Sequence, residues 1–240
     1  MISFDAFLAR EGKDRLRSFP NYKLEGPLYV DYIKANKAKK IAVIALNFAS
    51  LDEQFAKIVE PAFAGTDVKF MREMYDFNTK DYNTLALKAA KFRPDLTIIT
   101  GFAFQVYPFL KAVRTYVRTG EVITTMDFID LLYKDIPTEE LAGTIFVSPH
   151  FELPGVLPGL GDWKARYKAQ IGTSPTYASA YAYDTAQLIV EAYKKHGNVS
   201  TEALRAVTPV SYTHLRAHET EDERVCSHLL EKTKWGGGGG

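Results

Sequence analysis

The chain has 240 residues, 46% of them hydrophobic and 25% charged, which is the composition of an ordinary globular protein with a substantial core. The formal net charge of +1 gives no electrostatic argument for binding nucleic acid or an anionic membrane. No apolar run approaches the roughly 20 residues of a membrane-spanning helix. Residues 1–12 lack the apolar core of a signal peptide, which, taken alone, favours the cytoplasm if Met1 is the true start.

The predicted fold is organised around residues 41–46, six consecutive apolar residues that follow two lysines. Such a run predicts a strand buried on both faces, as in a parallel sheet. Helical spacing precedes it at 22–37 and follows it at 51–63. Further strands are predicted at 67–75, 96–100, 121–125 and 143–148, with helices at 84–92 and 105–118. This alternation predicts an α/β fold, a parallel sheet flanked by helices, whose ligands bind at the carboxyl ends of the strands.

The chain changes character after the last predicted strand. Residues 150–161 are rich in proline and glycine and lack periodicity, which is typical of a crossover or hinge. Helices are then predicted at 162–171, 179–195 and 200–207, with no strand for them to cover. Their apolar faces need a further layer, so the sequence is interpreted as a fragment.

The segment 210–240 is expected to be non-biological. Residues 210–220 resemble one reading frame of a transposase-end adapter used in DNA sequencing, and residues 225–232 resemble the adapter that follows it. Five glycines from Gly236 fit the false base calls that end such a read. The alternative is a natural basic helix with a glycine linker. The adapter interpretation removes the chain's single cysteine, Cys226, and so argues against a metal site built on it.

No motif for catalysis, a nucleotide or a metal occurs. The sequence contains no G-x-G-x-x-G, no Walker motif, no G-x-S-x-G and no H-E-x-x-H, so we predict no catalytic residue, metal or cofactor. Asp127 follows the strand at 121–125 and is suited to pairing with a ligand ammonium group; the alternative is an N-cap for a helix beginning at Phe128. Phe48 and Phe102 follow two other strands, where they either wall a pocket or pack as core.

Several short motifs, in their order and spacing, carry a family resemblance over about residues 15–209. They are KKIAVI (39–44), YD (75–76), KDY (80–82), RPDL (93–96), Gly101, LAGTIFVS (141–148), the stretch from Tyr167 to Pro175, and YAYDTA (181–186). Together they make the chain similar to the type I periplasmic binding proteins, in particular the leucine/isoleucine/valine-type substrate-binding subunits of ABC importers.

That resemblance implies two lobes that close on a small solute, an amino acid or a similar polar molecule. Residues 1–20 would be a remnant or linker, 21–149 the second lobe, and 150–209 the hinge crossing and return helices of an incomplete first lobe. Asp127 matches the acidic residue that binds the ligand ammonium, Phe102 matches an aromatic residue beside the ligand, and Ser50 stands where many members have a ligand-facing tyrosine. The partners implied are ABC permease subunits, and the location is periplasmic or extracellular, with the signal peptide absent from the fragment.

Two other functions remain open. The same fold serves as the ligand-sensing domain of receptors, which a transmembrane helix encoded after the domain would indicate. An enzyme on a flavodoxin-like or nucleotide-binding sheet would need a phosphate-binding turn after the strand at 41–46. The residues there, Asn47 to Ser50, include no glycine for close approach to a phosphate.

Overall fold

The structure, a computed structural model, describes residues 2–3, 16–17, 25–118, 120–132, 134–148, 151, 159–207 and 230–232. The chain divides into two compact units. The first, here called the sheet unit, consists of Tyr22–Ser148 and Cys226–Gly240; the second, the helical unit, consists of Met1–Asn21 and Pro149–Val225. The assignment of these ranges to two lobes of a binding protein stays a prediction.

The helical unit begins with a small parallel sheet. Its strands are β1 (Ile2–Ser3) and β2 (Leu16–Arg17), paired so that Ile2 lies opposite Leu16. Residues 16–17 thus form a short strand within the range 1–20, which the family resemblance assigns to a remnant or linker.

The sheet unit contains the alternating elements that the apolar pattern predicts. In chain order they are α1 (Glu25–Ala35), β3 (Lys40–Leu46), α2 (Ala49–Gln54), β4 (Lys69–Tyr75), α3 (Tyr82–Phe92), β5 (Leu96–Thr100), α4 (Ala103–Tyr116), β6 (Glu121–Thr124), α5 (Ile129–Leu132), α6 (Thr138–Leu141) and β7 (Thr144–Val147). The strand order is β4-β3-β5-β6-β7, and all four pairings are parallel. The predicted α/β fold with a parallel sheet is confirmed.

The core of this unit is built on β3, which lies between β4 and β5. Residues 41–45 are fully buried and Leu46 almost so, because β3 is paired along both edges and covered on both faces. Beside it, α2 continues as a π-helical turn, Phe55–Val59, and the Phe55 ring stacks on Tyr29 of α1 with 5.9 Å between centroids. A 3-10 turn, Pro61–Phe63, follows, so the predicted helix over 51–63 is divided into α-helical, π-helical and 3-10 segments.

Two glycines occupy positions that a side chain would disrupt. Gly101 follows β5 with a φ of +148°, and a Cβ there would lie 2.0 Å from the Tyr75 hydroxyl. α4 ends at Tyr116, and Gly120 lies immediately before β6, where a Cβ would lie 2.5 Å from the Asp95 carbonyl oxygen.

One strand was not predicted. β8 (Leu230–Lys232) pairs antiparallel with β7 and is the last strand of the sheet. It is the described part of the segment 210–240, and it pairs with the sheet although that segment is expected to be non-biological. The non-biological origin of the segment stays a prediction.

The remaining helices belong to the helical unit: α7 (Leu160–Ile171), α8 (Tyr177–His196) and α9 (Thr201–Val207). All three match predicted helices within about two residues. Thr176 accepts a hydrogen bond from the Ser179 amide at the start of α8, and Gly197 ends that helix with a φ of +70°. Within the described ranges, no helix has both the length and the apolar character needed to cross a bilayer.

Candidate functional site

The predicted site residues lie at the carboxyl edge of the sheet. Asp127 is in the 3-10 turn Met126–Phe128, between β6 and α5. Phe102 and Phe48 hold the N-cap positions of α4 and α2, directly after β5 and β3. Ser50 is the second residue of α2, and its side chain lies outside the described residues.

A threonine connects Asp127 to the neighbouring turn. The Thr125 hydroxyl lies 3.2 Å from the Gly101 carbonyl oxygen and 3.4 Å from Asp127 Oδ2, within hydrogen-bonding distance of both. Since Phe102 follows Gly101, the structure brings Asp127 and Phe102 to adjacent turns. Thr125, rather than Asp127, holds the N-cap position of the 3-10 turn, so the N-cap alternative for Asp127 is not the arrangement found.

A second carboxyl group, which the sequence gave no reason to select, lies close to Asp127. Glu25, the first residue of α1, is 3% exposed, and Asp127 is 6% exposed. Glu25 Oε1 accepts the Met126 N–H at 3.2 Å, and Oε2 accepts the Tyr29 hydroxyl at 2.9 Å. Gln54 makes a further side-chain hydrogen bond to Glu25. The turn that carries Asp127 is therefore bonded directly to α1.

The pKa of Glu25 is raised to about 8, chiefly by burial and in smaller part by the negative charge of Asp127, while three hydrogen bonds oppose the rise. Desolvation is the largest effect because the carboxyl group is enclosed in the core. The raised pKa favours the protonated, neutral form of Glu25 at pH 7. Burial also raises the pKa of the Tyr75 phenol, with Tyr82 and Asp127 adding to the effect, so Tyr75 remains a donor and bonds the Thr100 carbonyl at 2.7 Å.

An aromatic group, here called the Phe cluster, stands at the same edge of the sheet. It consists of Phe77, Phe102 and Phe104, with ring centroids 5.5–6.1 Å apart. Phe77 is 56% exposed and Phe104 is 53% exposed. Exposed phenyl rings that contact one another form an apolar surface suited to a ligand or another apolar group.

Gln105 fixes the geometry of that cluster. The side chain is fully buried; its Nε2 donates to the Phe77 carbonyl oxygen at 2.9 Å, and its Oε1 accepts the Phe102 N–H at 3.3 Å. One amide thus holds the turns after β4 and β5 together. The backbone positions of two rings of the Phe cluster are set by a single side chain.

Other features do not join this group. No ring contact is described for Phe48, whose position after β3 is equivalent to that of Phe102 after β5. A cavity of about 470 Å³ in the sheet unit lies at the opposite, amino edge of the strands, lined by Arg114 of α4 and by Gly120 and Glu121 at the start of β6. The Arg114 guanidinium is already hydrogen-bonded there to carbonyl oxygens at the end of α6 and to Thr144. The candidate site lies at the carboxyl edge, where Asp127 and Phe102 are on adjacent turns.

The arrangement at that edge suits recognition of a cation with an apolar portion. It offers one charged carboxylate beside a neutral acid, with aromatic rings on the adjacent turn. Among the described residues, no group of three or more His, Cys, Asp or Glu side chains is placed to hold a metal ion.

Comparison with known proteins gives the family. A profile of the periplasmic binding proteins matches residues 16–217, which includes the first eight residues of the segment 210–240. No curated protein matches the sequence significantly.

Solved structures share the fold. A leucine-binding protein from Thermotoga maritima is 18% identical with a TM-score of 0.65, over 84% of this chain and 58% of its own. An amino acid ABC transporter substrate-binding protein from Pseudomonas fluorescens is 18% identical with a TM-score of 0.65, over 80% and 53%. An ABC transporter solute-binding protein from Rhodopseudomonas palustris, in complex with 3,4-dihydroxybenzoic acid, is 19% identical with a TM-score of 0.64, over 79% and 53%. The chain thus spans just over half the length of these proteins.

Proposed function

This chain belongs to the periplasmic binding protein family, and from that premise we propose that it is part of the solute-binding subunit of an ABC importer. The solute is an amino acid or a similar small molecule with an ammonium group. The observation that carries the proposal is the Asp127 carboxylate, nearly buried at the carboxyl edge of the sheet and bonded by Thr125, with Phe102 on the adjacent turn.

Asp127 supplies the charge for recognition. Burying a carboxylate costs solvation energy, and a bound ammonium group offsets that cost through charge-assisted hydrogen bonds. Losing one partner of such a pair typically costs about 2–5 kcal/mol of binding free energy. Asp127 is therefore proposed as the ammonium anchor of the site.

The Phe cluster supplies the apolar surface. Exposed rings at Phe77 and Phe104 favour a ligand whose remaining part is apolar, because contact with it removes phenyl surface from water. Phe102, Phe48 and Ser50 are proposed as further residues near the ligand, each at or next to the start of a helix at the same edge of the sheet.

An aromatic acid is the second candidate ligand, favoured by the Rhodopseudomonas palustris neighbour with bound 3,4-dihydroxybenzoic acid. The Phe cluster would suit its ring. The charge of Asp127 opposes it, because a ligand carboxylate beside Asp127 would place two negative charges in a poorly solvated site. The amine-containing ligand is therefore preferred.

The remaining roles follow from the family. The intact protein would deliver its solute to permease subunits and act in the periplasm or outside the cell, and it would carry out no reaction of its own. Binding, orientation and release of the solute would be its whole activity.

A ligand panel tests this function. Two-dimensional NMR of the 240-residue chain would follow titration with L-leucine, isoamylamine, 4-methylpentanoic acid and 3,4-dihydroxybenzoic acid. We expect the two compounds with an ammonium group to shift the Asp127 and Phe102 amide signals, and the two acids to leave them in place. Shifts from the acids alone would contradict the proposed ligand class, and no shifts from any compound would contradict the site.

A further inference from the structure

The residue that holds the Asp127 turn is Glu25, on an element far away in the sequence. Met126 is the first residue of the 3-10 turn, and its N–H is bonded to Glu25 Oε1 at 3.2 Å. The described hydrogen bonds thus connect this turn to α1 through one carboxyl oxygen, while Thr125 connects it to the turn after β5.

We propose that Glu25 is a positioning residue for the candidate site: its carboxyl group, through the Met126 N–H, fixes the turn that presents Asp127. This inference rests on the proposed function for its biological meaning, but the hydrogen bond and its consequences can be measured without a ligand.

The groups around Glu25 explain why its charge state matters for holding the turn that carries Asp127. Tyr29 contacts it from α1, Gln54 from the end of α2, and Met126 and Asp127 from the turn after β6. In this set, the negative charge that acts on Glu25 comes from Asp127. A neutral acid can accept the Met126 N–H beside Asp127 without repulsion, whereas an ionised Glu25 would place a second negative charge against it.

With Glu25 protonated, Asp127 supplies the negative charge of this pair at neutral pH, as pairing with a ligand ammonium group requires. Above the raised pKa of Glu25, about 8, Glu25 becomes ionised as well. The Met126 N–H is then held by a carboxylate that repels Asp127, and no longer by a neutral acid.

Two variants separate positioning from simple packing. Glu25→Gln keeps a neutral oxygen that accepts the Met126 N–H, and Glu25→Met keeps the approximate volume without that acceptor. Glu139→Gln, on an exposed carboxyl of α6, is the matched control.

Amide hydrogen exchange at Met126, measured by NMR in the 240-residue chain at pH 6.5, gives the result. We expect Glu25→Gln and Glu139→Gln to exchange within about threefold of the parent chain, and Glu25→Met at least about tenfold faster, since an unbonded amide opens more readily. If Glu25→Met does not fold, folding of the Gln variant with a protected Met126 amide gives the same support. Protection retained in a folded Glu25→Met chain, or lost in a folded Glu25→Gln chain, would overturn the inference.

A second measurement tests whether Glu25 is protonated. The infrared band of a protonated carboxylic acid should be present in the parent chain at pH 6.5, absent in Glu25→Gln, and lost in the parent chain with a midpoint near pH 8. If the parent chain lacks this band at pH 6.5, the inference that Glu25 is a neutral acid is overturned. Should the ligand panel fail while Met126 exchange behaves as expected, the proposed function fails and the positioning role of Glu25 stands.

Discussion

The two units bury their apolar residues to very different extents. In the sheet unit, β3 is paired on both edges, and Ile41, Val43 and Ile44 are fully buried. In the helical unit, α8 is a 20-residue helix, yet Ile189, Val190 and Tyr193 are 37%, 44% and 64% exposed. The comparison shows that apolar side chains stabilise the fold where neighbouring strands and helices cover them, as in β3, and contribute less where they stay exposed, as in α8.

The helical unit does have a core, but a small one. Trp163 contacts the rings of Phe151, Tyr167 and Tyr183 at 5.4–5.8 Å, and Ala192 of α8 packs with Ala203, Leu204 and Val207 of α9. These contacts cover part of each helix. An amphipathic helix normally buries a continuous stripe, so the exposed residues of α8 mark a face that the described helices of this unit do not cover.

The largest expected effect on stability comes from truncating one isoleucine to alanine in each unit. Ile44→Ala in β3 should lower the free energy of unfolding by about 2–5 kcal/mol, because it leaves a cavity in a closed core. Ile189→Ala in α8 removes the same atoms from an exposed face and should change it by no more than about 0.5 kcal/mol. Urea denaturation of both variants measures the difference. Equal losses of unfolding free energy in the two variants would mean that α8 is covered in solution, and would contradict the difference in burial between the two units.

A buried acid, Glu25, distinguishes the sheet unit in a second way. Because the folded-state pKa of Glu25 is raised from 4.5 to about 8, the folded chain binds more protons than the unfolded chain between these pH values. Its contribution to stability is complete below pH 4.5 and is lost as the pH rises through 8. Glu25→Gln removes this dependence, so its stability relative to the parent chain should rise across that window by up to a few kcal/mol. Thermal unfolding of both chains at pH 5, 6.5 and 8.5 measures this change. If the stability difference between Glu25→Gln and the parent chain is the same at all three pH values, Glu25 is not a buried acid with a raised pKa.

The exposed face of α8 should promote association. Tyr193→Ser and Val190→Ser together remove apolar surface there, and we expect weaker self-association with little change in melting temperature. Light scattering over a range of concentrations measures the effect. A parent chain that stays monomeric at high concentration would show that this face is not exposed in solution.

The smallest effect is expected at the end of the chain. Deleting residues 210–240 removes the segment interpreted as adapter-derived, together with the three-residue strand β8 at the edge of the sheet. We expect a melting temperature equal to that of the parent chain within error, because a three-residue edge strand adds few contacts. A fall of several degrees would mean that β8 is an integral strand and would contradict the adapter interpretation.

The sequence predicted the sheet because its signals are local. The six apolar residues at 41–46 predict a strand, and the structure has β3 at that position. The proline after Arg93 predicts the end of a helix, and α3 ends at Phe92, with Arg93 at a φ of +52°. Asp127 could be selected for a similar reason, since it directly follows a predicted strand.

The network beneath Asp127 could not be predicted in this way. Glu25 and Met126 are 101 positions apart, and only the packing of α1 against the turn after β6 reveals their hydrogen bond. A glutamate in the first turn of a helix is ordinarily explained by the helix dipole, which gave no reason to expect burial. Gln105 presents the same difficulty, because its two backbone partners lie on different turns.

The central claim, that Asp127 binds the ammonium group of a solute, is tested most directly by charge removal. Asp127→Asn keeps the shape of the side chain and removes its charge, while Asp135→Asn removes an exposed carboxylate as a control. The affinity for L-leucine, measured by NMR titration of a full-length protein that contains this chain, should fall by about 30-fold or more in Asp127→Asn, corresponding to at least about 2 kcal/mol, and should be unchanged in Asp135→Asn. Unaltered affinity in a folded Asp127→Asn chain would contradict the claim.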